Sequence, residues 1–336
     1  MIPENRHERY DSKIRVIRIK RIRMWGKIMK NKSFLGNSIL LFTAFIWGTA
    51  FVAQRVGMES IEPITFNAAR MAIAAVFIGA LALILSKKNG SSGKNAEERK
   101  SYRKNTIIGG IVCGCFLTFG SVLQQIGLVS TTAGKAGFIT AMYMLLVPII
   151  SFVLFKKKNT LLVWSAVVLG IVGMYLLCIS GDFSLSKGDA YIAVCAVFFA
   201  GHILSCDHFV GRSNPIALSA IQFITATVIS AVVALIAEEP TIAKLTSAIV
   251  PILYCGLISG GLGYTLQMVG QRYTEPTIAS LLMSMESVFA VLAGTVLLKE
   301  KMSMREVIGC IIMFVAIVLV QLPGKRYNTV GNEKTI

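Results

Sequence analysis

Charge is scarce in this sequence. Asp, Glu, Lys and Arg together make up 15% of 336 residues, against about a quarter in soluble domains. So few charges cannot cover the surface of a water-soluble protein this size. Histidine is limited to three residues, which leaves little material for a metal centre. His202, Cys206 and His208 come closest, with 202 and 206 on one helix face, but no second cluster completes four ligands, so no metal is expected. Seven cysteines (Cys113, Cys115, Cys178, Cys195, Cys206, Cys255, Cys310) form no CxxC pair and lie mostly inside apolar runs. That excludes a zinc module and a disulfide framework, and they read as small buried hydrophobes. HExxH, GxSxG and paired His/Asp clusters are missing, which counts against an enzyme. STTAGKAG (130–137) lacks the first glycine of a phosphate-binding loop, and no Ser or Thr follows Lys135. No nucleotide-driven pump is encoded, and no cofactor is expected.

What is abundant is apolar residues, 54% of the chain, with a mean hydropathy of +0.68. Segments of about 20 apolar residues cross a bilayer. Ten candidates occur, near 35–55, 63–86, 106–127, 133–155, 161–180, 189–210, 216–238, 248–271, 277–298 and 305–322. The expected fold is therefore all-α and polytopic, with ten transmembrane helices. The net charge of +17 is topological and does not indicate nucleic acid. Eleven Lys and Arg against Glu4, Glu8 and Asp11 precede the first apolar run. With the N-terminus inside, 26 basic residues fall on the inner side. Seven fall outside (Arg55, Lys135, Lys187, Lys244, Lys299, Lys301, Arg305), and Arg70 lies within a span. The asymmetry predicts that both termini are cytoplasmic. The basic tail, 1–34, has two open readings: a juxtamembrane segment drawn to anionic lipid, or residues ahead of a start at Met29. A short tail, 323–336, follows the last span. No cleavable signal peptide is expected.

The two halves are related. At an offset of 152, segment 44–84 matches 196–236 without a gap, including Ala44/Ala196, Pro63/Pro215, Ala68/Ala220 and Ala74/Ala226. Past the basic loop the offset becomes 143: LQQIG (123–127) lies over LQMVG (266–270), and Met142 over Met285. Each unit has five expected spans, and an odd number inverts the second unit relative to the first. Inverted repeats are the arrangement of alternating-access carriers, with a site near the midplane between the halves.

AFIWGTAFVAQRVG (44–57), PITFNAAR (63–70) and ASLLMSMESVFAVLAGTVLLKEKMS (279–303) resemble the EamA branch of the drug/metabolite transporter superfamily. The likeness covers about 37–321, as two units at 37–178 and 189–321. It implies a ten-helix carrier of the cell membrane, with export of amino acids or other small polar metabolites as the leading function. An uptake carrier, or a polytopic enzyme or sensor without transport, is the alternative. A small-molecule substrate, the bilayer, protons and a second copy of the chain are the partners this reading allows. The chain departs from the family where a Glu often follows the fourth helix: here stand Lys156, Lys157 and Lys158.

Glu286 is the leading site residue. It lies nine residues into its span, roughly 14 Å deep at 1.5 Å per residue, and an intramembrane carboxylate is functional by default. Ala279, Met283, Ala290 and Ala293 share its face at helical spacing, with Ser280, Ser284 and Ser287 beside it. It grips a substrate amine, carries a proton, or fixes packing by pairing with the serines or an Arg. Its repeat mate is Tyr143, expected across the same cavity. Arg70, with Asn67 one turn earlier, meets a substrate carboxylate, neutralises Glu286 or snorkels outward; with Glu286 it suits a zwitterion. Trp47 lies mid-span, suited to a cavity wall or plain packing. Gln124 and Gln267 are symmetry mates near helix ends, where interfacial solvation is expected. The glycine-rich runs 109–120 and 256–263 permit close approach or bending.

Overall fold

The computed structural model describes residues 32–88, 95–131, 133–157, 159–178, 186–297 and 303–321. Both tails lie largely or wholly outside these residues, as do Lys158, Lys299 and Lys301. Every regular element among the described residues is helical. In order they are α1 (Lys32–Gly57), α2 (Pro63–Lys88), α3 (Ala96–Leu128), α4 (Ala133–Ala141), α5 (Tyr143–Phe155), α6 (Leu161–Cys178), α7 (Lys187–Val210), α8 (Pro215–Ala237), α9 (Ile242–Ser247) and α10 (Ile249–Leu253). A π-helical segment (Tyr254–Tyr264) follows, then α11 (Thr265–Gln271), α12 (Pro276–Met283), α13 (Glu286–Leu297) and α14 (Met304–Gln321). Among the described residues, eight helical stretches are long and apolar enough to cross a bilayer. The remaining two expected spans correspond to α6 and α14, helices of 18 residues each.

Local chemistry sets the helix starts. Asn214 accepts from the amides of Ile216 and Ala217, and Pro215 fills the first helical position of α8, where its missing N–H is not needed. Ser186 and Asp189 cap α7 reciprocally, and Pro276 opens α12. α2 lacks such a local cap. The carboxylate of Glu238, at the far end of α8, accepts from the Ile64 amide at 2.9 Å, the Thr65 amide at 2.6 Å and the Thr65 hydroxyl at 2.7 Å.

α2 packs along α8, α6 along α14, and α3 against both α7 and α8. Small residues permit these approaches: a Cβ on Gly173 would lie 2.9 Å from the Gly309 carbonyl oxygen across the α6–α14 seam. Val76, Leu83, Leu235 and Ile236 face outward. Gln54, Asn67, Arg70, Gln222, Gln267 and Glu286 are buried. An apolar exterior around a polar centre is the reverse of a soluble protein and suits hydrocarbon as solvent.

Three local departures from the sequence reading concern the backbone. The expected span over 277–298 breaks after Met283, and the span over 133–155 breaks at Met142. Both breaks tighten into i→i−3 bonds: Met142 N to Ile139 O, and Met285 N to Leu282 O. Within the glycine-rich 256–263 run, the helix widens to π geometry, which is frequent at functional sites.

Candidate functional site

The break at Ser284–Met285 makes Glu286 the first residue of α13. The amides around this break stay paired within the chain, Ser284 N to Ser280 O, Met285 N to Leu282 O and Ser287 N to Ser284 O. The matching break at Met142 makes Tyr143 the first residue of α5. The two repeat mates meet: the Tyr143 hydroxyl donates to Glu286 Oε1 at 3.0 Å, in a buried contact. Glu286 is 4% exposed. The serines are occupied elsewhere. Ser280 and Ser284 donate to carbonyls one turn earlier, and Ser287 donates to the Gly137 carbonyl of α4.

Arg70 is 6% exposed and neither snorkels nor pairs with Glu286. Its Nη1 donates to Gln54 Oε1 at 2.9 Å, and its Nε and Nη2 donate to Asn67 Oδ1 at 3.0 and 2.8 Å. Asn67 in turn donates to Ser230 Oγ on α8 at 2.9 Å. Asn67 does not line the cavity; it holds the guanidinium in place. Two of the five guanidinium N–H groups remain for another partner.

Arg70, Tyr143, Glu286 and Trp47 line one cavity, together with Gln54, Gln124, His202, Tyr264 and Gln267. Trp47 donates its Nε1 to the Ser259 carbonyl in the π segment at 3.2 Å. Its ring lies 4.7 Å from that of Tyr264. The cavity volume is about 30 Å³, room for one or two waters and too small for a metabolite. The site is therefore closed in this conformation.

Five of these lining residues were missed or misread in the sequence, Gln54, which holds Arg70, among them. Gln124 and Gln267 are buried, not solvated at an interface: Gln124 donates to Thr140 of α4 at 3.2 Å, and Gln267 donates to Gln271 at 3.0 Å. Their symmetry-mate relation was the available signal. His202 Nε2 lies 3.0 Å from Gln222 Oε1 and 3.6 Å from Cys206 Sγ, which lies 3.8 Å from Cys113 Sγ. Among the described residues no group of three or more His, Cys, Asp or Glu is arranged for a metal ion. Tyr264 gave no signal in the sequence.

The EamA-like transporter family model matches residues 34–179 and again 186–322. A transporter of Archaeoglobus fulgidus is 30% identical over 283 residues, covering 84% of each chain. A chloroplast WAT1-related protein of Arabidopsis thaliana is 23% identical, covering 87% of this chain and 70% of its own. One crystal structure, 17% identical, superposes with a TM-score of 0.69 over 88% of this chain and 99% of its own, a likeness of fold.

Proposed function

The chain belongs to the EamA-like transporter family, and from that premise we propose that it exports amino acids or other small polar metabolites by alternating access, with the Arg70–Glu286 cavity as the substrate site. It is a multi-pass membrane protein, and transporters of this family handle small molecules within a lipid bilayer. The finer reading is ten crossings, α6 and α14 included, in two inverted five-helix repeats of the cell membrane with both termini cytoplasmic. The inversion rests on the odd number of spans in each unit, and three features support the repeat itself. The breaks at Met142 and Met285 fall at the 143-residue offset. The mates Tyr143 and Glu286 meet. α2 and α6 pack along their own mates, α8 and α14. The basic excess on one side supports the orientation, and the outward direction rests on the resemblance to exporting carriers.

One observation carries the site. A guanidinium and a carboxylate share a buried cavity, and each is held by neutral partners instead of by the other. Two separated opposite charges match the two ends of a zwitterion. Glu286 takes the amine or, in a coupled cycle, the proton; Arg70 takes the carboxylate; Trp47 and Tyr264 form an aromatic wall. The test is counterflow in proteoliposomes with a labelled mixture of the common L-amino acids, with and without a pH gradient. Saturable exchange is expected. No flux, accompanied by lipid turnover, would transfer the protein to the enzyme class.

A further inference from the structure

One side of the cavity carries a hydrogen-bond relay whose direction is fixed from its far end. The Ile203 backbone carbonyl can only accept, so the Gln271 amide turns Nε2 towards it, at 3.0 Å. Gln271 Oε1 then accepts from Gln267 Nε2, also at 3.0 Å. Turning the Gln267 amide over would set two carbonyl oxygens against each other, so its polarity is locked. What remains is Gln267 Oε1, buried and without a hydrogen-bond partner among the described residues. Gln267 itself is 1% exposed and lines the cavity that holds Glu286 and Arg70. A buried acceptor with no donor is costly and rare in native structures. This one is preorganised, and it belongs to a side chain that lines the cavity.

We propose that Gln267 determines specificity: its Oε1 accepts an N–H from the transported molecule, from an ammonium or amide group, when the cavity widens to admit it. Gln271 is a positioning residue that keeps the carbonyl end of Gln267 available. The carboxylate of Glu286 is the second acceptor in the same cavity, so a group with two or three N–H donors, such as a primary ammonium, can satisfy both. This rests on the carrier reading and deepens it by naming the donor that a substrate must carry.

The experiment is counterflow in proteoliposomes of the full chain. The probe is the labelled mixture of those common L-amino acids without a nitrogen in the side chain, and the competitor is the same mixture exhaustively N-methylated, which has no N–H. The wild type should discriminate strongly against the competitor. Gln267→Met, similar in size but without the acceptor, should raise KM about 10- to 100-fold and bring the competitor's inhibitory concentration close to that of the unmethylated mixture. Its thermal unfolding temperature in detergent reports the fold. Gln271→Leu frees the Gln267 amide and should weaken discrimination. Gln271→Glu, as the neutral acid, donates its hydroxyl to the Ile203 carbonyl and still accepts from Gln267 Nε2, so it should restore it, a rescue that a merely structural role for Gln271 would not give. If Gln267→Met fails to fold, this Gln271 pair decides alone. No counterflow by the wild type would overturn the carrier reading and this proposal with it. Wild-type counterflow with KM and discrimination unchanged in folded Gln267→Met, or equal behaviour of both Gln271 variants, would overturn the proposal alone.

Discussion

Removing the Glu238 carboxylate should loosen the junction between the two halves of the molecule at one end. Glu238 terminates α8 and reaches the first turn of α2, accepting from two amides and one hydroxyl at 2.6–2.9 Å. The residue before Pro63 is Glu62, whose side chain is turned to Lys244, so no local side chain replaces the cap. Losing a cap costs about 0.5–2 kcal/mol, and losing the favourable dipole interaction about 0.3–1 kcal/mol. The hydroxyl bond to a charged acceptor adds about 1.5 kcal/mol at this partly exposed position. Glu238→Ala should therefore destabilise by about 2–4 kcal/mol, lowering the detergent unfolding temperature by roughly 3–6 °C for a chain of this size. Glu238→Gln keeps one acceptor oxygen and should show about half the effect. Thr65→Val removes only the hydroxyl bond, and in combination with Glu238→Ala it should add little. An unfolding temperature for Glu238→Ala within about 1 °C of wild type, or full additivity with Thr65→Val, would refute the clamp.

Glu286→Gln keeps the shape beside Tyr143 but removes the charge; it should abolish pH-dependent counterflow while the protein still purifies as a folded species, and normal pH dependence would eliminate a coupling role. Gly48→Ala sets a Cβ 2.5 Å from Phe289 Cβ and 2.7 Å from the Glu286 carbonyl oxygen, so α1 must move off α13. A destabilisation of about 1–3 kcal/mol with impaired transport is expected, measured by thermal unfolding and counterflow. The Lys244 ammonium holds the Glu62 carboxyl below its ordinary value of 4.5. A carboxylate with a lowered folded-state pKa stabilises above its unfolded value, so the contribution is present above about pH 4.5 and fades as the pH falls below it. Glu62→Gln should flatten the wild-type decline in thermal stability in that acidic range; an unchanged profile would count against the pair.

Helix positions were legible because long apolar runs bounded by Pro, Asn and Ser leave the backbone few alternatives in hydrocarbon. The breaks at Met142 and Met285 were not, since neither carries Pro or Gly and methionine is a good helix former. They arise from packing, which no single-segment pattern encodes. Glu286 stood out because a lone carboxylate in an apolar run is costly, and the repeat offset pointed to Tyr143. The amides were hidden because a buried glutamine looks the same in sequence as a solvated one. Gln124 and Gln267, four residues from their helix ends, were read as interfacial, yet Thr140 and Gln271 hold them inside.

That gap has a physical origin. A guanidinium and a carboxylate that paired directly within a closed cavity would neutralise one another and leave little for a substrate to bind, since breaking a buried pair is strongly unfavourable. Keeping both charges available requires neutral groups to solvate each of them. Gln54 and Asn67 do this for Arg70, and Tyr143 does it for Glu286. The charged residues mark the site in the sequence, but the neutral groups that hold them do not. A site built this way is read from its charges and works through its neutral residues.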